Sequence, residues 1–499
     1  MAEDKVSHSR TQQVAKKTGA IGRWLSSLEA SPRLLLIFVL LTLQVVVVFP
    51  VELGSRHWAP LLRSINVAIW LAWFITLFVM VTPAADKWLR SHVKPLKWAA
   101  VSLGLILCLV GSIEIAGVAL LKTGTLKADS GVLQTAENYS DTLGYNDGTA
   151  MVHMAGEQLL HGINPYKDPD FVEAVDRFGV SVNRTTPLMR GDFVKTWPKP
   201  TYKQREDAWL KAKVDAGRVA LNFESKFCYP AGSFLSLTPF LALGLKDVRY
   251  FYLLCILLVF AVIMWQMPKR LWPLIILVAL ASLDLWNDVA SGGTTGLYLL
   301  FLLLGWVLLQ KNIWASAAFM GLAATSKQLA WFFVLFYLIL IFRTIGWKRC
   351  FQVATVIGVI FLVTNVPFVV GGPLTWLKSV SAPLVDPMFP IGVGIVSFCI
   401  AGPISPGMHV MYTAMEIAAL LACLVWYYYK CGKYPDTGLA LAVLPLFFAW
   451  RSFSIYGSTA AVLVFAAVLI SHGRSTTLDS NSVLTTTTPR SSQVFCLSS

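Results

Sequence analysis

Long apolar runs, separated by short polar connections, dominate the chain from residue 34 to residue 472. A helix that crosses a membrane needs about 20 consecutive, mostly apolar residues. The clear candidates are 34–53, 65–82, 98–121, 248–266, 271–287, 296–310, 312–327, 329–343, 349–370, 408–429, 436–452 and 455–472. Two weaker candidates, 231–245 and 391–402, are short and interrupted by Pro or Gly. The pattern predicts an all-α polytopic membrane protein with about 11–14 transmembrane helices.

The basic residues of the polar connections predict how the chain is oriented in the membrane. Lys and Arg accumulate in short connections on the cytoplasmic side. The tail 1–33 and the connection 84–97 are both rich in Lys and Arg, so we expect both to be cytoplasmic. The next helix then runs outward and places residues 122–230 on the outer side. A loop of this length is either functional or disordered, and its aromatic content predicts an ordered domain.

The basic turns of the second half restrict which weak candidates cross the membrane. Residues 343–349 and 430–433 both carry the basic residues of a cytoplasmic turn. For both turns to be cytoplasmic, 391–402 must dip into the membrane without crossing it. The basic segment 267–272 similarly requires that 231–245 lies flat or re-enters.

This orientation divides the chain into five predicted parts. The first three are a cytoplasmic tail (1–33), three transmembrane helices (34–121) and an outer loop domain with an amphipathic interface helix (122–230). A transmembrane bundle (231–472) and a disordered cytoplasmic tail (473–499) follow. Four polar segments are then expected on the outer side: the loop domain, 284–295, 371–407 and 450–456. A site on that side would draw on all four.

Composition and charge agree with a membrane protein. Of the 499 residues, 56% are hydrophobic and only 14% are charged, against about 25% charged in soluble domains. The formal net charge of +14 does not predict nucleic-acid binding, because no basic stripe interleaved with aromatic residues is present. The eight cysteines form no Cys-x-x-Cys pair, so neither a disulfide framework nor a cysteine metal cluster is predicted.

The segment 145–166 carries the most informative pattern in the loop domain. It reads Tyr-Asn-Asp-Gly-Thr, then an amphipathic stretch with apolar residues at four-residue spacing, then Gly-Ile-Asn-Pro-Tyr. The spacing predicts a helix that lies at the membrane surface and begins near Asp147. Asn146 or Asp147 is then either a helix N-cap, which is a common structural role, or a functional residue.

Four motifs in order resemble the GT-C glycosyltransferases, and most closely the family 87 polyprenyl-phosphate-dependent mannosyltransferases. An acidic residue before an amphipathic helix and Gly-x-Asn-Pro-Tyr resembles the first outer loop of that family. The other motifs are Tyr229-Pro230, Gly292-Gly293-Thr294-Thr295-Gly296 and Gly321-Leu322-Ala323-Ala324-Thr325-Ser326-Lys327. The resemblance covers roughly 140–345. The chain departs from the family pattern at Ala231, where a second Pro is usual, and in the two extra helices that precede the acidic loop.

The resemblance implies a GT-C-like bundle that transfers a sugar, mannose or a pentose, from a polyprenyl-phosphate donor to a lipid or glycan of the cell envelope. The expected location is the cytoplasmic membrane of a bacterium. Asp147 matches the catalytic Asp of the family and would be the general base, with Asp141 as the reserve candidate. Such a base takes the proton of the acceptor hydroxyl, and cations or hydrogen-bond donors stabilise the departing lipid phosphate.

Several further residues are candidates for substrate binding. By the resemblance, Asn164, Tyr166 and Tyr229 belong to the motifs that line the site. Lys327 would hold the lipid phosphate or, alternatively, would snorkel from a helix end to the membrane surface. Arg451 and Tyr456, in the last predicted outer turn, would reach the phosphate or anchor that turn at the interface.

Asp284 and Asp288 are acidic residues at or near membrane depth, where such residues are often functional. At i, i+4 spacing they would bind a divalent metal or acceptor hydroxyls, or form a solvated helix end. No cofactor is required by the predicted chemistry, because the leaving group is already a phosphate. A transporter or a flippase for lipid-linked glycans is the alternative function, although no repeat of helix groups is evident.

Overall fold

A computed structural model of the chain describes residues 31–52, 59–122, 143–214, 222–400 and 409–482. Most of the predicted N-terminal tail, the reserve candidate Asp141 and residues 483–499 lie outside this part. The described residues are mostly α-helical, with one short pair of β-strands, so the predicted all-α polytopic architecture is confirmed.

Within the described residues, three long apolar helices and one short polar helix precede the loop domain. They are α1 (Leu36–Glu52), α2 (Ala59–Val81), α3 (Ala85–Leu89) and α4 (Val93–Lys122). Arg33, just before α1, forms an ion pair with Asp86, just after α2. This pair ties the start of α1 to the end of α2 at the side predicted to be cytoplasmic.

The loop domain contains short helices linked by irregular segments. The helices are α5 (Asp147–Leu160), α6 (Phe171–Arg177) and α7 (Tyr202–Val214). The helix predicted from the amphipathic pattern is therefore present as α5. Its residues from Thr149 to Gly156 are buried, because they pack against α6 and the helices that follow the loop.

The second half of the described chain is a bundle of helices of unequal length. They are α8 (Gly232–Leu235), α9 (Thr238–Ala242), α10 (Arg249–Gln266), α11 (Trp272–Ala281), α12 (Leu283–Ala290), α13 (Thr295–Leu308), α14 (Ile313–Ser326), α15 (Leu329–Thr344), α16 (Trp347–Val369), α17 (Pro373–Val380), α18 (Ala382–Val385), α19 (Val396–Ile400), α20 (His409–Lys430), α21 (Thr437–Leu441) and α22 (Ser454–Ser482). The helix α22 continues past the predicted boundary at 472. Of the candidate spans it is the most buried, and it packs against α1, α2, α12 and α13.

Within the described residues, six helical spans are long and apolar enough to cross a membrane. They are Ser64–Val81, Ala85–Ala116, Arg249–Gln266, Trp347–Val369, His409–Lys430 and Ser454–Ser471. A seventh is present if α11 and α12, which meet at a bend of 50°, form one span. Six more apolar helices are only 10–17 residues long, so the predicted total of 11–14 requires that shorter helices also cross.

Two predicted spans are not single straight helices. The run 271–287 bends between α11 and α12, where the Ser282 hydroxyl donates to the carbonyl of Val278. The run 436–452 ends as a helix at Leu441, because Pro445 has no N–H to continue it, and a 3₁₀ turn follows. At membrane depth, backbone breaks of this kind occur where the chain is buried in protein or lines a water-filled cavity.

The only strands among the described residues connect two of the predicted outer segments. The strand β1 (Ile391–Gly392) pairs in parallel with β2 (Arg451–Ser452), and Ile391 lies opposite Arg451. The indole N–H of Trp450 also donates to the carbonyl of Met388 at 2.7 Å. We call residues 386–394 the strap, because they join the loop domain to the turn that carries Arg451.

Candidate functional site

The first turn of α5 shows which of Asn146 and Asp147 caps the helix. The Asn146 side chain accepts a hydrogen bond from the Thr149 N–H at 2.8 Å and is therefore the N-cap. Asp147 is the first helical residue and is left with other partners. Its carboxylate accepts from the N–H of Gly148 at 2.8 Å and from the N–H of Thr186 at 2.6 Å. The capping role that the sequence left open therefore belongs to Asn146, and a functional role for Asp147 stays a prediction.

The protein surroundings of Asp147 favour a carboxyl with a high proton affinity. Burial raises the pKa of Asp147 above its ordinary value. Four groups act in the opposite direction and favour the ionised carboxylate. They are the Thr186 hydroxyl, the two backbone N–H groups and the charged Arg451. A carboxyl balanced in this way suits a general base, which must both take and release a proton.

Three arginines surround this carboxylate. Arg184, Arg205 and Arg451 each interact electrostatically with Asp147. Arg184 donates to the carbonyl of Ser291, and Arg205 donates to the carbonyl of Asn183 at 3.1 Å. The positive charge near Asp147 thus exceeds what one carboxylate requires.

Of these three arginines, Arg451 is the one whose guanidinium donates no hydrogen bond to a described residue. Its position in β2 is set by the pairing with β1, and its guanidinium carbon lies 5.5 Å from the ring centroid of Phe453. Among the described residues, it forms neither a hydrogen bond nor an ion pair through its side chain. An enclosed guanidinium without such partners is suited to bind an anionic ligand.

Lys327 lies among aromatic rings in the same region. It follows the last residue of α14, and its Nζ lies 5.3, 5.9 and 6.0 Å from the ring centroids of Tyr298, Tyr229 and Tyr456. The ammonium also donates to the Thr294 hydroxyl at 3.3 Å. The side chain therefore turns into the protein, and does not snorkel to the membrane surface.

Tyr229 connects Lys327 to the first turn of α5. A Cβ atom added at Gly148 would lie 2.6 Å from the Tyr229 hydroxyl, so the ring packs directly on the residue after Asp147. A side chain at position 148 would displace this ring. Asp147, Tyr229, Lys327, Arg451 and Tyr456 are consequently brought together, and we call these five residues the polar site.

The two acids of α12 face different partners. Asp288 interacts electrostatically with Lys327 and Arg184, and accepts from the Thr295 N–H at 3.3 Å. Asp284 instead accepts hydrogen bonds from the hydroxyls of Ser454 and Ser458 on α22. Asp288 thus adjoins the polar site, whereas Asp284 is held by neutral donors. No group of three or more His, Cys, Asp or Glu side chains suited to a metal ion occurs within the described ranges.

Asn164 and Tyr166 support the site from behind. The Asn164 amide donates to the carbonyl of Phe368 at 3.2 Å, and its oxygen accepts from the Tyr166 N–H at 3.0 Å. The Tyr166 hydroxyl donates to the carbonyl of Tyr229 at 2.7 Å, and its ring is only 1% exposed. Both residues position the backbone of Tyr229 in this structure. Their predicted contact with substrate stays a prediction.

The structure adds residues that the motifs did not indicate. Arg184 and Thr186 approach Asp147 from the segment between α6 and α7, and Arg205 approaches it from α7. The only available signal was the cluster of basic residues in an outer loop that should carry few of them.

The four predicted outer segments meet around the polar site. Asn146 of the loop domain donates to the carbonyl of Gly292 at 3.2 Å, and Trp450 contacts the strap. A site shared by the four segments, as the predicted orientation suggests, would need them to lie together in this way.

Comparisons with protein-family models, with curated proteins and with solved structures find no match to this chain. The assignment of a function consequently depends on the geometry of the polar site and on the motifs of the sequence.

Proposed function

We propose that this protein is a membrane glycosyltransferase that transfers a sugar from a polyprenyl-phosphate donor to a hydroxyl of a cell-envelope lipid or glycan. The observation that carries the proposal is the arrangement around Asp147. A partly buried carboxylate lies beside Arg451, whose guanidinium has no polar side-chain partner among the described residues, and near Lys327. A base next to a cation that can stabilise a phosphate is the pair that this reaction requires.

The reaction can be written with these residues. Asp147 takes the proton of the acceptor hydroxyl while the acceptor oxygen forms a bond to the anomeric carbon of the sugar. The bond between that carbon and the phosphate oxygen breaks, and its electron pair leaves with the polyprenyl phosphate. Arg451 and Lys327 stabilise the negative charge that develops on this leaving group. Asp147 then releases its proton to water.

The surroundings of Lys327 support a role for lipid phosphate in particular. The three tyrosine rings around its ammonium provide an aromatic wall. A phosphate carried on a prenyl chain has a charged group adjacent to an apolar chain, which fits such surroundings. We place the reaction at the outer face of the membrane, where the loop domain is predicted to lie, and name the cytoplasmic membrane of a bacterium as the expected location.

The proposal is tested by donor preference. The purified protein in lipid nanodiscs would be given a membrane-lipid extract together with either radiolabelled polyprenyl-phosphate mannose or radiolabelled GDP-mannose. We expect label in the lipid or glycan product from the polyprenyl-phosphate donor alone. Transfer from the nucleotide sugar would contradict the proposal. If neither donor supports transfer, the same assay with a polyprenyl-phosphate pentose decides whether the sugar or the reaction class is wrong.

A further inference from the structure

Glu416 lies in the candidate span His409–Lys430, on the face of α20 that points into the protein. The buried residues of this helix are Tyr412, Cys423 and Tyr427, which lie four, seven and eleven positions from Glu416. These spacings place all four residues on one face of a helix. Glu416 is about 10 Å along the helix from its first residue, His409, which begins the helix on the side predicted to face outward.

The carboxylate of Glu416 has no polar partner in the part of the chain that the structure describes. Neither a hydrogen bond nor an ion pair to a described residue reaches it. Asp284, by contrast, accepts hydrogen bonds from two serine hydroxyls. An ionisable side chain inside a membrane is costly, and such residues usually face a cavity with a functional role.

The face of α20 that carries Glu416 packs toward the segment that carries Arg451. Tyr412, one helical turn before Glu416, has its ring centroid 5.3 Å from that of Trp450, the residue before Arg451. Glu416 also interacts electrostatically with Tyr456 of the polar site. The ring centroid of Tyr456 is 6.0 Å from Lys327 Nζ, and Tyr456 also interacts with Arg451. Glu416 therefore lies on the face of α20 turned toward the residues assigned to the lipid phosphate, but carries the charge that would repel a phosphate.

A carboxylate only accepts hydrogen bonds, so a ligand at Glu416 must donate them. The donor phosphate is excluded by its charge, whereas the acceptor of a glycosyl transfer presents hydroxyl groups. We propose that Glu416 binds the acceptor by accepting hydrogen bonds from the hydroxyls of its polar head group. This inference rests on the proposed function and identifies Glu416 as an acceptor-binding residue, while Asp147 removes the proton.

The test separates acceptor binding from donor binding. Wild type, Glu416→Gln and the control Glu114→Gln would be assayed in nanodiscs with radiolabelled polyprenyl-phosphate mannose and increasing octyl α-mannoside. Glu114 is a suitable control, because it is a glutamate of the span Ala85–Ala116. Release of free sugar from the donor without an acceptor would be measured in parallel, together with the melting temperature of each variant.

We expect Glu416→Gln to raise the KM for octyl α-mannoside about tenfold, because a charge-assisted hydrogen bond is replaced by a neutral one. The donor KM and the release of free sugar should stay the same, and Glu114→Gln should match the wild type. An unchanged acceptor KM, or a raised donor KM instead, would overturn the inference.

Failure of the proposed function would be recognised separately. In that case the wild type neither transfers nor releases sugar from any polyprenyl-phosphate donor. Calorimetric titration of octyl α-mannoside into the wild type and Glu416→Gln then decides the role of Glu416. Weaker binding by the variant would support a hydroxyl-binding carboxylate, and equal or absent binding would overturn it.

Discussion

At the scale of single residues, the first turn of α5 gives Asn146 and Asp147 different hydrogen-bond partners. Asn146 caps the helix and Asp147, next to it, accepts hydrogen bonds from Gly148 and Thr186. The sequence could place both residues at the helix start, but it could not decide between them. The choice of the cap depends on backbone angles. The partner of Asp147, Thr186, is 39 positions away in the chain.

The hydrogen bond from the Thr186 hydroxyl should set the lower pH limit of activity. This bond lowers the pKa of Asp147, against burial, which raises it. Thr186→Val keeps the backbone N–H and removes the hydroxyl, so the pKa of Asp147 should rise further. A general base works only when it is deprotonated, and the fall of kcat/KM on acidification should therefore begin at a higher pH than in the wild type.

The measurement is the pH dependence of kcat/KM for sugar transfer by Thr186→Val. Thr196→Val, another threonine of the same loop, is the matched control and should keep the wild-type profile. A profile for Thr186→Val that coincides with the wild type would show that Asp147 does not limit the acidic side.

Glu224 should make the folded protein less stable as the pH rises. Burial, together with the carboxylate of Asp386, raises the pKa of Glu224 to about 8. Burial would also raise the pKa of Asp386, but hydrogen bonds from Glu224 and Lys226 hold it below its usual value. The folded state therefore binds the Glu224 proton more tightly than the unfolded state does. The resulting stability is complete below about pH 4.5 and is lost as the pH rises through about 8.

Glu224→Gln cannot ionise, so its melting temperature should fall less between pH 6.5 and 9 than that of the wild type. The measurement is thermal unfolding in nanodiscs, with the exposed Glu206→Gln as the control. If the melting temperatures of Glu224→Gln and the wild type fall equally with pH, the raised pKa of Glu224 beside Asp386 is contradicted.

At the scale of elements, the strap determines where Arg451 lies. Met388 and β1 together hold the segment from Trp450 to Ser452. At its other end, Asp386 forms an ion pair with Lys226 of the loop domain. The predicted span 436–452 did not anticipate this arrangement. Apolar composition alone does not distinguish a continuous helix from a run broken at Pro445 and ended by a strand.

Gly392 is the residue of the strap on which this pairing depends. Its φ of +115° lies in a region that favours glycine, and a Cβ atom there would collide with the carbonyl of Ser452. Gly392→Ala should destabilise the protein by more than about 1 kcal/mol and displace Arg451, with a large loss of transfer. The measurements are the melting temperature and the transfer rate.

Gly358→Ala is the matched control for this substitution. Gly358 lies within α16, and an added Cβ atom there would meet open space. We expect full activity from this control. A Gly392→Ala protein that is as active and as stable as the control would contradict the role of the strap.

At the scale of the whole molecule, the sequence predicted the polytopic architecture because apolar length and basic connections are local properties. The motifs were also sufficient to name Asp147, Tyr229 and Lys327, whereas Arg451 was a candidate through its position in the last predicted outer turn. Glu416 could not be singled out in this way, because its inward direction depends on the packing of α20 against a distant part of the chain.

The most direct test of the account is sugar transfer by Asp147→Asn. The wild type, Asp147→Asn and the exposed control Asp168→Asn would be compared in nanodiscs with radiolabelled polyprenyl-phosphate sugar and a membrane-lipid extract. We expect Asp147→Asn to keep the wild-type melting temperature and to lose transfer by about a hundredfold or more, whereas Asp168→Asn stays active. Undiminished transfer by a folded Asp147→Asn protein would contradict the role of Asp147 as the general base.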